Sequence, residues 1–290
     1  MTNSSNLPEE RDLPFRSPLR TTMMRRAVAI LRPDRRLLAP ASWCSMPRRR
    51  LLATSPAEAF VFTAENFSNP DLPSGLQVVD VPLLEATDEN LAGFGYVLHS
   101  ADERTVEKGN FEIVPWPTSG WRSLDPDTGD EAGTTEGDFE VHWSGDYFHG
   151  KNLAIATSNN TYLDGLGTVP EHASPAEPAN GDGSSIYLWM SDYHPDGGQL
   201  FWPRQPIPFV ACLGPSAVGD DVKPSDMRAF RVPAGKGVYF HPGTWHNGVY
   251  IEKQYSPATF LTRQGRVHGR VSASWAYEFS QILRVPLTLS

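Results

Sequence analysis

The chain of 290 residues is long enough for one large domain or two small ones and carries a formal charge of −9. That sum hides a division: residues 1–50 hold eleven Arg, no Lys and four acids, so residues 51–290 carry −16. A body that acidic repels a phosphate backbone, which argues against nucleic-acid binding through it. Two cysteines, Cys44 and Cys212, are too few for a disulfide framework or a thiolate zinc site, so a reducing, cytoplasmic setting is expected. Uncharged apolar runs such as Ala27–Leu31 fall far short of the roughly 20 residues that span a bilayer, and no membrane partner is expected.

Taken in chain order, residues 1–54 read as an Arg/Pro-rich leader with no sustained amphipathic period. It is a transit-like segment, which would place the protein in an organelle, or a disordered basic arm, or the product of an over-extended start. Residues 55–290 read as the folded domain. Leu76–Pro82 alternates as a strand, and Thr87 caps a predicted short helix that runs through Leu91 and Phe94. Strands are predicted at Phe111–Pro115, Phe139–Trp143, Asn152–Thr157, Ser185–Met190, Pro208–Leu213, Ala229–Val232 and Gly237–Phe240. Leu166–Gly183 is a polar loop or bridge, Val267–Trp275 alternates again, and Ala276–Leu283 is a predicted terminal helix. Many short strands between Gly and Pro turns predict a sandwich or barrel.

Two motifs carry chemistry. In the stretch Gly235–Gly248 an apolar strand runs into the Pro242-Gly243 turn and presents His246, with the spacing G-x5-H-x-G-x2-H. This resembles the second cupin motif, with His241 at a usual proline. In Asp192-Tyr193-His194 and Gln199 the spacing D-x-H-x4-Q is similar to the first cupin motif, whose ligands read H-x-H-x4-E. Residues two apart share a strand face, and the Pro195–Gly198 turn would bring Gln199 back on a paired strand. Asp192, His194, Gln199 and His246 are thus expected to converge. His194, Gln199 and His246 form an oxygen- and nitrogen-rich set suited to one divalent ion such as Ni, Mn, Fe or Zn. A metal-free site, in which Gln199 and His246 bond a substrate carboxylate or amide directly, stands beside it. His99, His142, His149 and His172 are read as structural.

Across these residues the chain resembles the ureidoglycolate lyase family of allantoin and purine degradation. Ala86–Gly95 is similar to the family's opening helix and Phe-Gly turn. His194-Pro195 with Gln199, Phe201 and Pro203 matches its H-P-x-x-x-Q-x-F-x-P signature, and Arg228-Ala229-Phe230 and Gly237–His246 match two further segments. Arg263–Ser272 resembles a subgroup. Asn247 stands where many members have a second His, and Asp192 where many have Glu. The resemblance implies an all-β, cupin-like double-stranded β-helix, bicupin-like in one variant, with a few short helices and a homodimeric assembly. It also implies a lyase that cleaves (S)-ureidoglycolate to glyoxylate and urea.

That reaction needs a base for the C2 hydroxyl and an acid for the departing urea nitrogen. His246, His194 and Asp192 are the expected catalytic residues. Gln199, Trp245, Arg204 and His241 are the expected substrate-binding residues, with Trp245 forming an apolar wall and Arg204 clamping a carboxylate. Arg266, His268 and Arg270 alternate on one face, a stripe that lines a pocket or, in the favoured reading, is structural or interfacial; Lys236 is read as exposed and Glu136 as a weak site candidate. The competing readings are a metal-dependent cupin oxygenase or isomerase on another small hydroxy acid, and a non-catalytic cupin that binds a small acid.

Overall fold

A computed structural model describes residues 60, 71–100, 120–126, 128, 136–155, 160–169, 181–265 and 268–289. All of them fall in the compact unit Ala53–Ser290. The predicted leader and the predicted strand Phe111–Pro115 lie outside the described residues.

The fold is mostly β, in the cupin-like manner expected. Ten strands form the main sheet in the order β1 (Gln77–Asp80), β15 (Gln281–Pro286), β7 (Ser185–Leu188), β6 (Thr161–Leu166), β5 (Tyr147–Asn152), β4 (Glu136–Ser144), β13 (Ala258–Arg263), β9 (Gln199–Pro203), β12 (Gly237–Phe240) and β3 (Gly95–Leu98). A second sheet holds β10 (Phe209–Leu213), β11 (Arg228–Val232) and β2 (Leu83–Glu85), and a third pairs β14 (Val271–Ser274) with β8 (Met190–Tyr193). The pairs β1–β15 and β2–β11 are parallel; the other strand pairs are antiparallel.

Side-chain pattern explains these roles. Along β5 every second residue, Phe148, Gly150 and Asn152, is buried, the period of a sheet with one wet face. In β10 and β12 every residue is buried, which requires the continuous apolar runs Phe-Val-Ala-Cys-Leu and Gly-Val-Tyr-Phe. The principal core is aromatic: Phe201, Phe209, Phe230, Phe240 and Phe260 are fully buried, and Phe209 meets Phe260 edge-on at 5.0 Å. Each such ring contributes about 1.5–3 kcal/mol on burial.

Three expected elements differ. The cap at Thr87 forms, its Oγ1 accepting from Asn90 N at 3.1 Å, but the segment makes only hydrogen-bonded turns. Gly93 takes a left-handed conformation at φ 87°, and the chain must then enter β3 at once. The terminal helix is confined to Trp275–Phe279, because Ser280 at φ 54° reverses the chain and the β-favouring Gln281–Pro286 pairs as β15. Asn152 ends a strand rather than opening one: its side chain accepts from Ala154 N at 3.0 Å and fixes a turn. The strands β2, β3, β5, β6, β13 and β15 were not anticipated from the sequence.

One buried polar network holds β8 in place. Arg122 donates to both oxygens of Glu278, at 2.9 and 2.6 Å, with both side chains almost wholly buried. Arg122 Nε also donates to the Asp220 carbonyl at 2.9 Å, and the Asp220 carboxylate accepts from Arg122 N and from the hydroxyl of Tyr193 at 2.8 Å. Tyr193 lies between Asp192 and His194, so the pair reaches the residues of interest through three contacts. Removing one partner leaves the other charge buried alone. Glu278→Ala is expected to lower stability by roughly 3–5 kcal/mol, read from the midpoint of urea unfolding. A loss under about 1 kcal/mol would contradict the role given to this pair.

Candidate active site

Two short segments bring the motifs together. Asp192, on β8, and His246, just beyond the Pro242-Gly243 turn, exchange both backbone hydrogen bonds, Asp192 N to His246 O at 2.9 Å and His246 N to Asp192 O at 2.7 Å. His194 follows β8 directly. The expected hairpin is not formed: β8 pairs with β14, whereas Gln199 opens β9, which pairs with β12 and β13. The turn Pro195–Gly198 therefore passes from one sheet to another. A Cβ on Gly197 would stand 2.8 Å from Gly265 Cα, and one on Gly198 would collide with Tyr239 and Phe240. Only glycine allows this crossing. The convergence holds even so, because both sheets border one cavity.

That cavity encloses about 510 Å³, solvent at its mouth included. Asp192, His194, Gln199, His246 and Asn247 line it, together with Asp164 on β6, His268 and Arg270. Phe139, Phe201, Leu163 and Met190 form its apolar wall. The rings of His194 and His246 are 5.1 Å apart, and those of His194 and His268 are 4.5 Å apart.

Hydrogen bonds fix the rings. His246 Nδ1 donates to the Thr244 carbonyl at 2.7 Å, and its Nε2 lies 2.9 Å from Gln199 Oε1. A neutral imidazole has one N–H for these two acceptors. The Gln199 amide nitrogen donates to Thr262 Oγ1 at 3.2 Å and to Gln264 Oε1 at 3.4 Å, which turns its oxygen toward the His246 ring. His194 Nδ1 donates to the Gly269 carbonyl at 3.2 Å, which leaves the lone pair on Nε2. That atom is 4.0 Å from Asp192 Oδ2. With a neutral ring this is proximity, not an ion pair.

Burial sets the charges. It holds His194 well below the usual imidazole range, assisted by the neighbouring His268 and His246, and brings His246 down to about 4 and His268 to about 3. The carboxyls move the other way. Desolvation pushes Asp192 and Asp164 each up to about 7, with Arg270 opposing both. Arg270 is held from outside the cavity by Asp125, whose Oδ2 accepts from its Nε at 3.1 Å and from Ser272 Oγ at 2.6 Å. Neutral bases, carboxyls shifted up toward neutrality and one guanidinium can bind a small anion and move a proton across it.

Three expected binding residues are elsewhere. Trp245 is fully buried in the core, its indole donating to the Gly219 carbonyl at 2.9 Å and its ring edge-on to Tyr193 at 4.8 Å. Arg204 is exposed on β9's far end and pairs with Asp138. His241 is half-buried against Tyr96 and Tyr239, outside the cavity. Lys236, half-buried, donates to the His99 carbonyl in a turn, and Glu136 is exposed. Arg266 lies outside the described residues.

The residues missed are Asp164, His268 and Arg270. The even spacing of His268 and Arg270 was visible, but the choice between pocket and interface was not. His268 is the sharper case: buried, at φ 54°, with Nδ1 buried and unpartnered. Its N–H donates to Asp196 Oδ2 at 3.1 Å, which ties this strained residue to the Pro195–Gly198 turn. Among the described residues no group of three His, Cys, Asp or Glu side chains is disposed to hold a metal ion. His246 Nε2 faces Gln199 Oε1 at 2.9 Å, and His194 meets the Gly269 carbonyl through Nδ1.

The ureidoglycolate lyase family profile matches residues 153–269, which include β6 through β13 and every cavity residue named above except Phe139 and Arg270. The matched segment is similar to ureidoglycolate lyases. One such protein of Stutzerimonas stutzeri (strain A1501) is 41% identical over 70 residues, 24% of this chain and 40% of that protein. Those of Pseudomonas syringae pv. tomato and Pseudomonas aeruginosa PAO1 are 41% and 39% identical over the same shares. The chain thus spans about two-fifths of the length of the curated relatives it matches.

The raised carboxyls make stability depend on pH in a definite direction. A carboxyl with a folded value near 7 and an ordinary value of 3.8 lends stability that is complete below about 4 and lost as pH rises through 7. The buried imidazoles act oppositely, their stability being present above 6.5 and lost as pH falls. Asp164→Asn removes one carboxyl contribution only. Its melting temperature relative to the wild type is expected to climb between pH 5 and pH 8, by several degrees on the order of 2–4 °C per kcal/mol. A difference that stays flat across that range would contradict the assignment.

Proposed function

We propose that the protein is an enzyme that cleaves (S)-ureidoglycolate to glyoxylate and urea. One juxtaposition carries the reading: a neutral imidazole and a fixed amide, in a segment similar to ureidoglycolate lyases, border one small cavity with the guanidinium of Arg270, the residue directly after that segment. The substrate is a carbinolamide whose C2 bears a carboxylate, a hydroxyl and a ureido nitrogen. Arg270 receives the carboxylate, its planar fork matching two oxygens and Asp125 holding it from outside. His194, with its proton on Nδ1, presents the Nε2 lone pair to the C2 hydroxyl as base. Gln199, oriented by His246, bonds the ureido carbonyl. As the hydroxyl proton leaves, the C2–O bond becomes the aldehyde of glyoxylate, the C2–N bond breaks and the nitrogen takes a proton to leave as urea.

Burial supports the choice of base, since a cationic His194 would have no lone pair to offer. The mechanism routes no step through a metal. A divalent ion on His194, Gln199 and His246 is retained as an arm of the test, and so is a metal-dependent oxygenase. The family resemblance supports a homodimeric, cytoplasmic protein, and no helix among the described residues is long and apolar enough to cross a membrane.

His194→Ala is expected to lower kcat for release of glyoxylate and urea by about 10²–10⁴. Arg270→Lys, which keeps the charge but not the fork, is expected to raise KM by roughly tenfold with a smaller change in kcat. No turnover by the wild type, with or without added Ni or Mn, would overturn the reading. Oxygen consumption dependent on bound iron would favour the oxygenase instead.

A further inference from the structure

The departing ureido nitrogen needs an acid, and the cavity holds a second carboxyl that no sequence motif marks. Asp164 projects from β6 into the cavity wall. Its Oδ2 is fully buried and has no hydrogen-bond partner. The niche that receives this oxygen is made by absences: a Cβ on Gly150 would run into it, and one on Gly248 would stand 3.0 Å away. The Phe139 ring closes the same space, lying within 2.9 Å of a Cβ placed on Gly150 and 3.2 Å of one placed on Gly248. Two glycines distant in sequence and an aromatic ring thus border this carboxyl oxygen without offering it a hydrogen-bond donor. A carboxyl that merely filled space would be expected to find a donor, as buried polar groups do.

We propose that Asp164 is the acid that protonates the ureido nitrogen as the C2–N bond breaks. This rests on the ureidoglycolate reading. The step balances: His194 accepts the proton of the C2 hydroxyl, the electron pair of that O–H bond forms the C=O bond, and the C2–N pair takes the Asp164 proton. Urea and glyoxylate leave, and Asp164 and His194 regain their starting states by exchange with solvent. The charged and titratable groups that act on Asp164 are Arg270 and Asp192, and Tyr250 donates its hydroxyl to the Asp164 backbone carbonyl at 3.4 Å. Arg270 favours ionisation and burial opposes it more strongly, which lifts the carboxyl to about 7. The arrangement follows the general rule that a carboxyl kept neutral by apolar surroundings serves as a donor.

The test compares two substrates on the same sample of Asp164→Asn. One is ureidoglycolate; the other is the carbinolamide of glyoxylate with trifluoroacetamide, whose more acidic amide leaves with less help. Asp164→Asn is expected to lower kcat/KM on ureidoglycolate by about 10²–10⁴ and on the activated substrate at least tenfold less. Because both rates come from one preparation, any misfolded fraction cancels in their ratio. The wild-type profile is expected to fall above about pH 7, and this alkaline limb should vanish in the variant. Equal losses on both substrates, or wild-type activity within threefold, would overturn the role of Asp164 while leaving the ureidoglycolate reading in place. Absence of wild-type turnover overturns both.

Discussion

The site depends on the two backbone hydrogen bonds that Asp192 and His246 exchange. Neither residue lies in a long strand, and they are 54 positions apart, yet this one antiparallel bridge places the two motifs at a fixed distance. Everything else is arranged about it. Thr244 sets the tautomer of His246, Gly269 that of His194, and Gln199 arrives from a different sheet to meet the ring it orients. If that bridge were displaced by one residue, both side chains would turn to the opposite face.

A second constraint is desolvation. The cavity is walled by Phe139, Phe201, Leu163 and Met190, and its ionisable groups respond by shedding charge. Three imidazoles stay neutral and two carboxyls hold their protons into the neutral range, around a guanidinium that Asp125 anchors. A site built this way has acids and bases ready without mutual ion pairing. The chain carries −9 overall, yet the cavity's fixed charge is the positive one of Arg270.

The fold class was legible because strand-forming runs and Gly or Pro turns fix a β architecture locally. Ser185–Met190, Pro208–Leu213, Ala229–Val232 and Gly237–Phe240 are apolar, short and bounded, and each coincides with a strand to within two residues. Strands such as β6 and β15 were not legible. Thr161–Leu166 carries Asp164 and Gly165, both poor strand formers, in its middle, and Gln281–Pro286 follows a true helix without a proline or glycine between them. His194, Gln199, Asp192 and His246 converge on one cavity, through a crossing between sheets rather than the hairpin that their spacing suggested. Trp245 and His241 were placed there by adjacency to His246, but alternation along the segment sends Trp245 into the core.

Asp164, His268 and Arg270 depend on contacts between residues far apart in sequence. Asp164 needs the space left by Gly150 and Gly248, and His268 needs the hold of Asp196 from the β8–β9 turn. Such partners leave no local period to read. The most direct test of the whole account is the product inventory when purified protein turns over ureidoglycolate. A carbinolamide cleavage carried by His194 and Arg270 yields glyoxylate and urea in equal amounts, with no ammonia released. Ammonia in place of urea, or no product at all, would contradict it.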